Sequence, residues 1–233
     1  MAAELNGPRL EPRAGKARQL VVFLHGYGAD GNDLVDIGRA WQQLLPEAAF
    51  VSPHASRPCG QAPAGREWFP LTFRDPDERW TGVTTAAPAL TRFVDAELAR
   101  RGLGPSALAL VGFSQGTMMA LHVGLRRAVA PAAIVGYSGL LVGPTGREIT
   151  AMRDEITARP PVLLVHGDRD DLIPAQALFH AAQGLAALEV PVEWHLSHGI
   201  GHGIDAEGLR HGGEFLARRF GTLASRSRAS GNL

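Results

Sequence analysis

The sequence predicts an α/β fold with a mostly parallel central sheet, helices on both of its faces and a short cap-like insert. Short apolar runs alternate with helical segments along most of the 233 residues. This alternation is typical of parallel sheets, whose strands are joined by crossing helices. The apolar runs are rich in Val, Leu and Ala, as expected for strands that are buried on both faces.

The alternation predicts six strands and six helices. The predicted strands are 19–24, 48–51, 107–111, 132–135, 162–166 and 192–196. The predicted helices are 32–45, 85–101, 114–128, 147–158, 175–188 and 205–220. We also expect a short edge strand near residues 9–11. Between strand and helix, residues 52–83 form an irregular, proline-rich insert, and we expect its Trp68 and Phe69 to form a wall of the substrate site.

The composition predicts a single domain over residues 1–233, with loosely ordered ends at 1–16 and 224–233. The 23 basic and 23 acidic residues balance to a net charge of zero, which argues against a nucleic-acid partner. The single cysteine, Cys59, excludes an internal disulfide framework. We find neither the pattern of a signal peptide nor an apolar run of membrane-spanning length, and we expect a cytoplasmic protein.

The pentapeptide at residues 112–116, G-F-S-Q-G, predicts a nucleophilic serine at Ser114. It lies between an apolar run and a helical segment, which is the strand–turn–helix context of a nucleophile elbow. Serine is a weak nucleophile, so a base and an orienting acid are needed elsewhere in the chain. The similar stretch 136–140, G-Y-S-G-L, has leucine instead of glycine at its fifth position and no helical run after it, so we expect Ser138 to be structural.

In the chain order typical of such an elbow, the acid follows the serine and the histidine comes last. Three carboxylates follow the strand at 162–166, and we expect Asp170 to be the acid, with Asp171 as its rival. Asp168 comes directly after a glycine and is expected to cap the turn.

Three histidines compete for the role of base near the last strand. His195 falls within the strand and is expected to be structural, whereas His198 is a rival for the role. We favour His202, because the glycines on both sides of it let the backbone present its ring to the elbow. The oxyanion donors are expected to be the backbone N–H groups of Gln115, directly after the nucleophile, and of Tyr27, in an early glycine-rich loop.

Four motifs together resemble the acyl-protein thioesterase/small carboxylesterase family, also called the phospholipase/carboxylesterase family, of the α/β-hydrolase fold. They are L-H-G-Y-G at 24–28, G-F-S-Q-G at 112–116, H-G-D-R-D at 166–170 and G-H-G at 201–203. The resemblance covers about residues 17–220. It implies Ser114 as nucleophile, Asp170 as acid, His202 as base, and Tyr27 and Gln115 as oxyanion donors.

The chain departs from the pattern of that family at two positions. The family often carries Trp-Phe-Asp in its insert, whereas Pro70 follows Trp68 and Phe69 here. The family often has proline after the acid, whereas Asp171 stands there in this chain.

The resulting hypothesis is a serine carboxylesterase for short- to medium-chain carboxylic esters that needs no cofactor and no metal. The alternative with the same site is an acyl-protein thioesterase or lysophospholipase that acts on longer acyl chains. We expect a small-molecule ester substrate and a monomer or homodimer.

Two hypotheses of other classes are weaker. A dinucleotide-binding protein is suggested by G-x-G-x-x-G at 26–31, but no acidic residue for the ribose follows the next strand. A metal-dependent hydrolase could use His195, His198 and His202 with the carboxylates of 168–171, because these ligands suit zinc or manganese. No H-E-x-x-H or cysteine pattern supports such a site.

Overall fold

A computed structural model describes residues 4–72, 75 and 77–222. Its strands are β1 (Arg9–Leu10), β2 (Gln19–Leu24), β3 (Ala48–Val51), β4 (Arg57–Pro58), β5 (Arg66–Glu67), β6 (Leu108–Phe113), β7 (Ala133–Tyr137), β8 (Val162–Gly167) and β9 (Val192–Ser197). Its α-helices are α1 (Asn32–Trp41), α2 (Glu78–Arg101), α3 (Gln115–Gly124), α4 (Gln176–Ala187) and α5 (Ala206–Arg219). Short 3₁₀ helices occupy Pro105–Ala107 and Ile149–Glu155.

Seven strands form one central sheet in the order β1-β3-β2-β6-β7-β8-β9. Every neighbouring pair in this sheet is parallel except β1 and β3, which are antiparallel. The prediction of a mostly parallel sheet within an α/β-hydrolase fold is therefore confirmed. Within the described part of the insert, residues 57–67 contain a small antiparallel pair, β4 with β5, which is separate from the central sheet.

Each face of the sheet is covered by helices, as the strand composition predicted. Alternate side chains of β2 point to opposite faces, so Leu20, Val22 and Leu24 belong to one apolar core, and Val21 and Phe23 to the other. The first core is closed by side chains of α2, α3 and α4, and the second by side chains of α1 and α5. All five of these β2 side chains are fully buried.

Two helical predictions were wrong in extent or type. Helix α2 begins at Glu78 rather than at residue 85 and continues through Pro88. Residues 78–84 contain Gly82 and β-branched side chains, which are weak helix formers, but Val83 is fully buried in the core and its packing outweighs that weakness. The helix predicted at 147–158 is a 3₁₀ helix over Ile149–Glu155, closed against the core by the buried Met152.

The N-terminal segment is anchored to the rest of the domain over part of residues 1–16, for which we expected loose order. The Asn6 carbonyl accepts the His54 N–H at 2.7 Å, the Pro8 carbonyl accepts the Ser52 N–H at 3.0 Å, and Leu5 is buried. Strand β1 follows directly and supplies the edge strand expected near residues 9–11. The expected loose tail at 224–233 lies outside the described residues. Among the described helices, none is both long and apolar enough to cross a membrane.

Candidate active site

Ser114 lies on a sharp turn between β6 and α3. Its backbone angles are φ 53° and ψ −115°, a conformation that residues other than glycine rarely adopt. The two flanking glycines make the turn possible, since a Cβ on Gly112 would overlap the Gly116 carbonyl and a Cβ on Gly116 would overlap the Leu24 carbonyl. The hydroxyl of Thr117 donates to the Gly112 carbonyl at 2.8 Å and secures the turn from inside.

Asp170 is a buried carboxylate whose two oxygens are both occupied. Its Oδ1 accepts the backbone N–H groups of Leu172 at 3.0 Å and Ile173 at 2.8 Å. Its Oδ2 accepts the Nδ1 hydrogen of His202 at 2.8 Å. Donation from Nδ1 leaves a lone pair on Nε2 of the neutral ring, as a general base requires. The His202 ring packs 5.0 Å from that of Phe113, directly before the elbow serine.

His166 is a second histidine that contacts the Asp170 carboxylate. Its Nε2 lies 2.7 Å from the Ile173 carbonyl oxygen and 3.2 Å from Asp170 Oδ2. Both partners can only accept, so Nε2 carries the hydrogen and is shared between them. His166 is buried at the end of β8, and sequence reasoning saw it only as the first residue of the H-G-D-R-D motif.

Ser138 holds the loop of the histidine in place. Its hydroxyl donates to the Gly203 carbonyl at 3.1 Å, next to His202 in the chain. Its backbone has a positive φ of 45°, and its N–H donates to the Val165 carbonyl at 2.8 Å. This buried serine has a positioning contact that its sequence context did not reveal.

The two other carboxylates of this loop, Asp168 and Asp171, do not contact His202. Asp168 accepts hydrogen bonds from His198 Nδ1 and from the Gly199 N–H, both at 2.6 Å. Partial desolvation raises the pKa of Asp168, but these two hydrogen bonds outweigh it and hold the pKa below its ordinary value. Asp171 is exposed.

The three histidines near the last strand diverge. His202 pairs with Asp170, and His198 pairs with Asp168 while 90% of its side chain stays exposed. His195 instead packs against the ring of His211, with the ring centroids 4.3 Å apart. The cluster considered for a metal-dependent hydrolase, His195 with His198 and His202, is therefore not assembled among the described residues.

The early loop expected to hold an oxyanion donor is set by His25. The His25 Nε2 accepts the Ala55 N–H at 3.0 Å, so the hydrogen is on Nδ1, which donates to the Gly26 carbonyl at 2.8 Å. Because a trans peptide directs its carbonyl and N–H to opposite sides, this bond turns the Tyr27 N–H away from His25. Desolvation by burial lowers the pKa of His25 and keeps the ring neutral.

The side chain of Gln115 joins the elbow to the insert. Its Oε1 accepts the Trp68 N–H at 2.9 Å, and its Nε2 donates to the Phe69 carbonyl at 2.8 Å. The Trp68 indole in turn donates to the His25 carbonyl at 2.9 Å. The sequence motif points only to the backbone N–H of Gln115, and this side-chain role has no signal in the sequence.

Trp68 and Phe69 do not line the cavity that contains Ser114. They are 4% and 2% exposed, and they line a neighbouring cavity of about 530 Å³ beside α2. The contacts with Gln115 and His25 draw this part of the insert inward, and the lining of the Ser114 cavity does not include Trp68 or Phe69.

Ser114 and His202 open into one cavity of about 370 Å³. Its apolar lining consists of Leu71, Phe113, Met118, Leu140, Leu172 and Ile173. Its other polar or charged lining residues are Tyr27, Gln61 and Arg79. The arrangement provides a hydroxyl, a histidine with an oriented ring and an apolar space in one place, which suits acyl transfer.

The glycine-rich loop 26–31 is not arranged to receive a dinucleotide. The Asp30 carboxylate accepts the Asn32 N–H at 2.7 Å and so lies at the N-terminus of α1, where a pyrophosphate would bind. A negative side chain at that point repels a second anion.

Comparisons with known proteins agree with the fold. A sequence model described as Phospholipase/Carboxylesterase matches residues 5–219. Esterase YpfH of Escherichia coli is 29% identical over 83% of this chain and 80% of its own length. Acyl-protein thioesterase 1 of Gibberella zeae is 27% identical over 91% of this chain and 95% of its own. The crystal structure of esterase PE8 is 42% identical with a TM-score of 0.87, over 93% of this chain and 99% of that chain.

Proposed function

Because the chain belongs to the phospholipase/carboxylesterase family and is a serine ester hydrolase, we propose that it is a carboxylesterase for short- to medium-chain esters, with Ser114, His202 and Asp170 as its catalytic triad. The observation that carries this proposal is the 2.8 Å hydrogen bond from His202 to the buried Asp170, at the cavity that also holds Ser114. Membership of the family supports the class of reaction, and this contact supports the assignment of His202 and Asp170.

The proposed reaction has two halves. The Ser114 hydroxyl attacks the ester carbonyl while His202 Nε2 takes its proton, and Asp170 stabilises the imidazolium that forms. The N–H groups of Tyr27 and Gln115 bind the oxyanion. The tetrahedral intermediate expels the alcohol, which takes the proton from His202. Water then attacks the acyl-enzyme and gives a proton to His202. The second tetrahedral intermediate releases the carboxylic acid, and His202 returns the proton to the Ser114 oxygen.

The size of the cavity supports a short or medium acyl chain. A volume of about 370 Å³ is near the lower end of the roughly 300–1,000 Å³ typical of ligand pockets. Its apolar lining suits an alkyl chain, because burying each methylene group contributes about 0.8 kcal/mol.

A second candidate is thioesterase or lysophospholipase activity on longer acyl chains. It is favoured by the relatives named acyl-protein thioesterase 1 in Gibberella zeae and Schizosaccharomyces pombe. A second cavity of about 530 Å³ lies beside α2 and adds apolar space that a longer acyl chain would need. A series of ester and thioester substrates of increasing acyl length separates the two candidates by the length at which kcat/KM is highest.

Labelling with a fluorophosphonate, followed by mass spectrometry of the peptides, tests the nucleophile. We expect one adduct, on Ser114, and no measurable turnover in Ser114→Ala. The matched control is Ser106→Ala, because Ser106 is exposed in the 3₁₀ helix directly before the strand that leads to the elbow, and it should keep full activity. An adduct on another residue, or a fully active Ser114→Ala, would contradict the proposal.

A further inference from the structure

Three potential metal ligands converge on the side of the sheet covered by α5. His195 belongs to β9, and Glu207 and His211 belong to the first two turns of α5. One ligand atom from each of the three lies within 4.8 Å of the others. Glu207 and His211 are four residues apart, so the helix presents both on one face.

One of the two histidine rings has an unpaired nitrogen, and the other faces the carboxylate. His195 Nε2 is buried and has no hydrogen-bond partner among the described residues, which is costly for a polar atom. His211 Nε2 lies 3.6 Å from Glu207 Oε1 and 3.5 Å from an Arg210 nitrogen.

We propose that His195, Glu207 and His211 form a structural binding site for a divalent transition metal ion of the zinc class. Two imidazole nitrogens and one carboxylate oxygen are ligands that zinc accepts, and water completes a tetrahedron. Metal–ligand distances of about 2.1 Å put tetrahedral ligand atoms roughly 3.4 Å apart. The three ligand atoms now lie within 4.8 Å of one another, so a bound ion would draw them closer together.

Arg210 is the competing cation, and the structure gives it another partner. Its guanidinium lies 3.7 Å from Glu207 Oε1. It also donates to both carboxylate oxygens of Glu214, at 3.1 and 3.0 Å. When a metal ion takes Glu207, Arg210 therefore keeps a paired charge.

The proposed metal site lies at both ends of the loop that carries His202. Strand β9 ends at Ser197 and α5 begins at Ala206, and the loop between them carries His202. An ion bound to His195 on one side and to Glu207 and His211 on the other ties together both flanks of that loop. None of the three ligands lines the cavity of Ser114, so the ion stabilises the fold without taking part in the reaction.

Calorimetric titration of the full-length protein with Zn²⁺, after removal of metals with a chelator, tests the site. We expect one saturable site per chain and a higher Tm in the presence of zinc, because a ligand that binds the folded state stabilises it. Mg²⁺, which prefers oxygen ligands, should produce neither effect. Chelator treatment should leave ester hydrolysis measurable.

The substitutions His195→Gln, Glu207→Gln and His211→Gln should each weaken zinc binding by at least the roughly 10- to 100-fold that loss of an outer-sphere partner costs. The Glu207 side chain is 58% exposed, so its variant is expected to fold normally. His180→Gln is the matched control, because His180 is an exposed histidine on α4, and it should bind zinc as the unmodified chain does. Absence of saturable binding, or unchanged affinity in the Glu207 and His211 variants, would overturn the proposal.

Discussion

Asp170 Oδ2 accepts the Nδ1 hydrogen of His202 at 2.8 Å, and the Asp170 side chain is fully buried. Two residues earlier, Asp168 makes a similar contact with His198 at 2.6 Å, but the His198 side chain is 90% exposed. The same two loops therefore build two carboxylate–histidine pairs. Only the buried pair adjoins the cavity of Ser114, and this difference makes the two pairs experimentally separable.

Replacing Asp170 with asparagine should lower kcat by about 10⁴-fold, the loss typical when a triad aspartate is replaced. The amide cannot stabilise the imidazolium and favours the wrong tautomer of His202. Steady-state kinetics on a neutral ester measure the effect. Asp168→Asn and Asp171→Asn are the controls, and each should stay within an order of magnitude of the unmodified enzyme. A large loss in Asp171→Asn with an active Asp170→Asn would reverse the assignment.

Replacing Gln115 with leucine should destabilise the fold. The change removes the partners of the Trp68 N–H and the Phe69 carbonyl, which are held at 2.9 and 2.8 Å in a buried region. An unsatisfied buried polar group costs about 1–3 kcal/mol, so the free energy of unfolding in urea should fall by at least that much.

The matched control for this change is Gln183→Leu, because Gln183 is an exposed residue of α4, and its unfolding free energy should change little. If Gln115→Leu is as stable as the control, the contact between elbow and insert does not contribute to stability.

The central sheet was predictable because it depends on local patterns. Strands β2 and β3 have the bounds that their apolar runs predict, since strands buried on both faces must be apolar throughout. The order of motifs along the chain also located the loops that carry Ser114, Asp170 and His202. Each of these features is encoded within a few consecutive residues.

The contacts between distant loops were not predictable in the same way. The Gln115 side chain meets residues 46 and 47 positions away in sequence, and Ser138 meets Gly203 across 65 positions. Polar side chains of this kind carry no period, so only the folded chain shows their partners. The inward position of Trp68 and Phe69 is an example, because it depends on hydrogen bonds with Gln115 and His25.

His122 should make the protein less stable in acid. Burial, and then the neighbouring charge of Arg126, lower the pKa of His122 from 6.5 to about 3. Below pH 6.5 the histidine is protonated in the unfolded chain, whereas in the folded chain it stays neutral down to about pH 3. The stabilisation is therefore complete above pH 6.5 and is lost as the pH falls towards 3, by up to about 1.4 kcal/mol per pH unit.

Thermal unfolding of His122→Leu between pH 7 and pH 3.5 checks this expectation, and its Tm should fall less steeply than that of the unmodified chain. His180→Leu, which changes an exposed histidine of α4, should retain the full slope. Some acid sensitivity should remain in His122→Leu, because burial also lowers the pKa of His25. Parallel Tm curves for His122→Leu and the unmodified chain would show that His122 is not the source.

Arg79 should favour esters that carry a negative charge. It is half-buried and lines the cavity of Ser114. Its guanidinium forms no ion pair with any of the described residues (4–72, 75 and 77–222). A charge-assisted hydrogen bond contributes about 1.5–3 kcal/mol, which corresponds to about 10- to 100-fold in kcat/KM. Arg79→Gln should lose this factor with p-nitrophenyl hemisuccinate and keep its activity with the neutral p-nitrophenyl butyrate. The control is Arg92→Gln, at an exposed position of the same helix, and it should change kcat/KM for neither substrate. An equal loss with both substrates in Arg79→Gln would mean that Arg79 shapes the cavity rather than recognises charge.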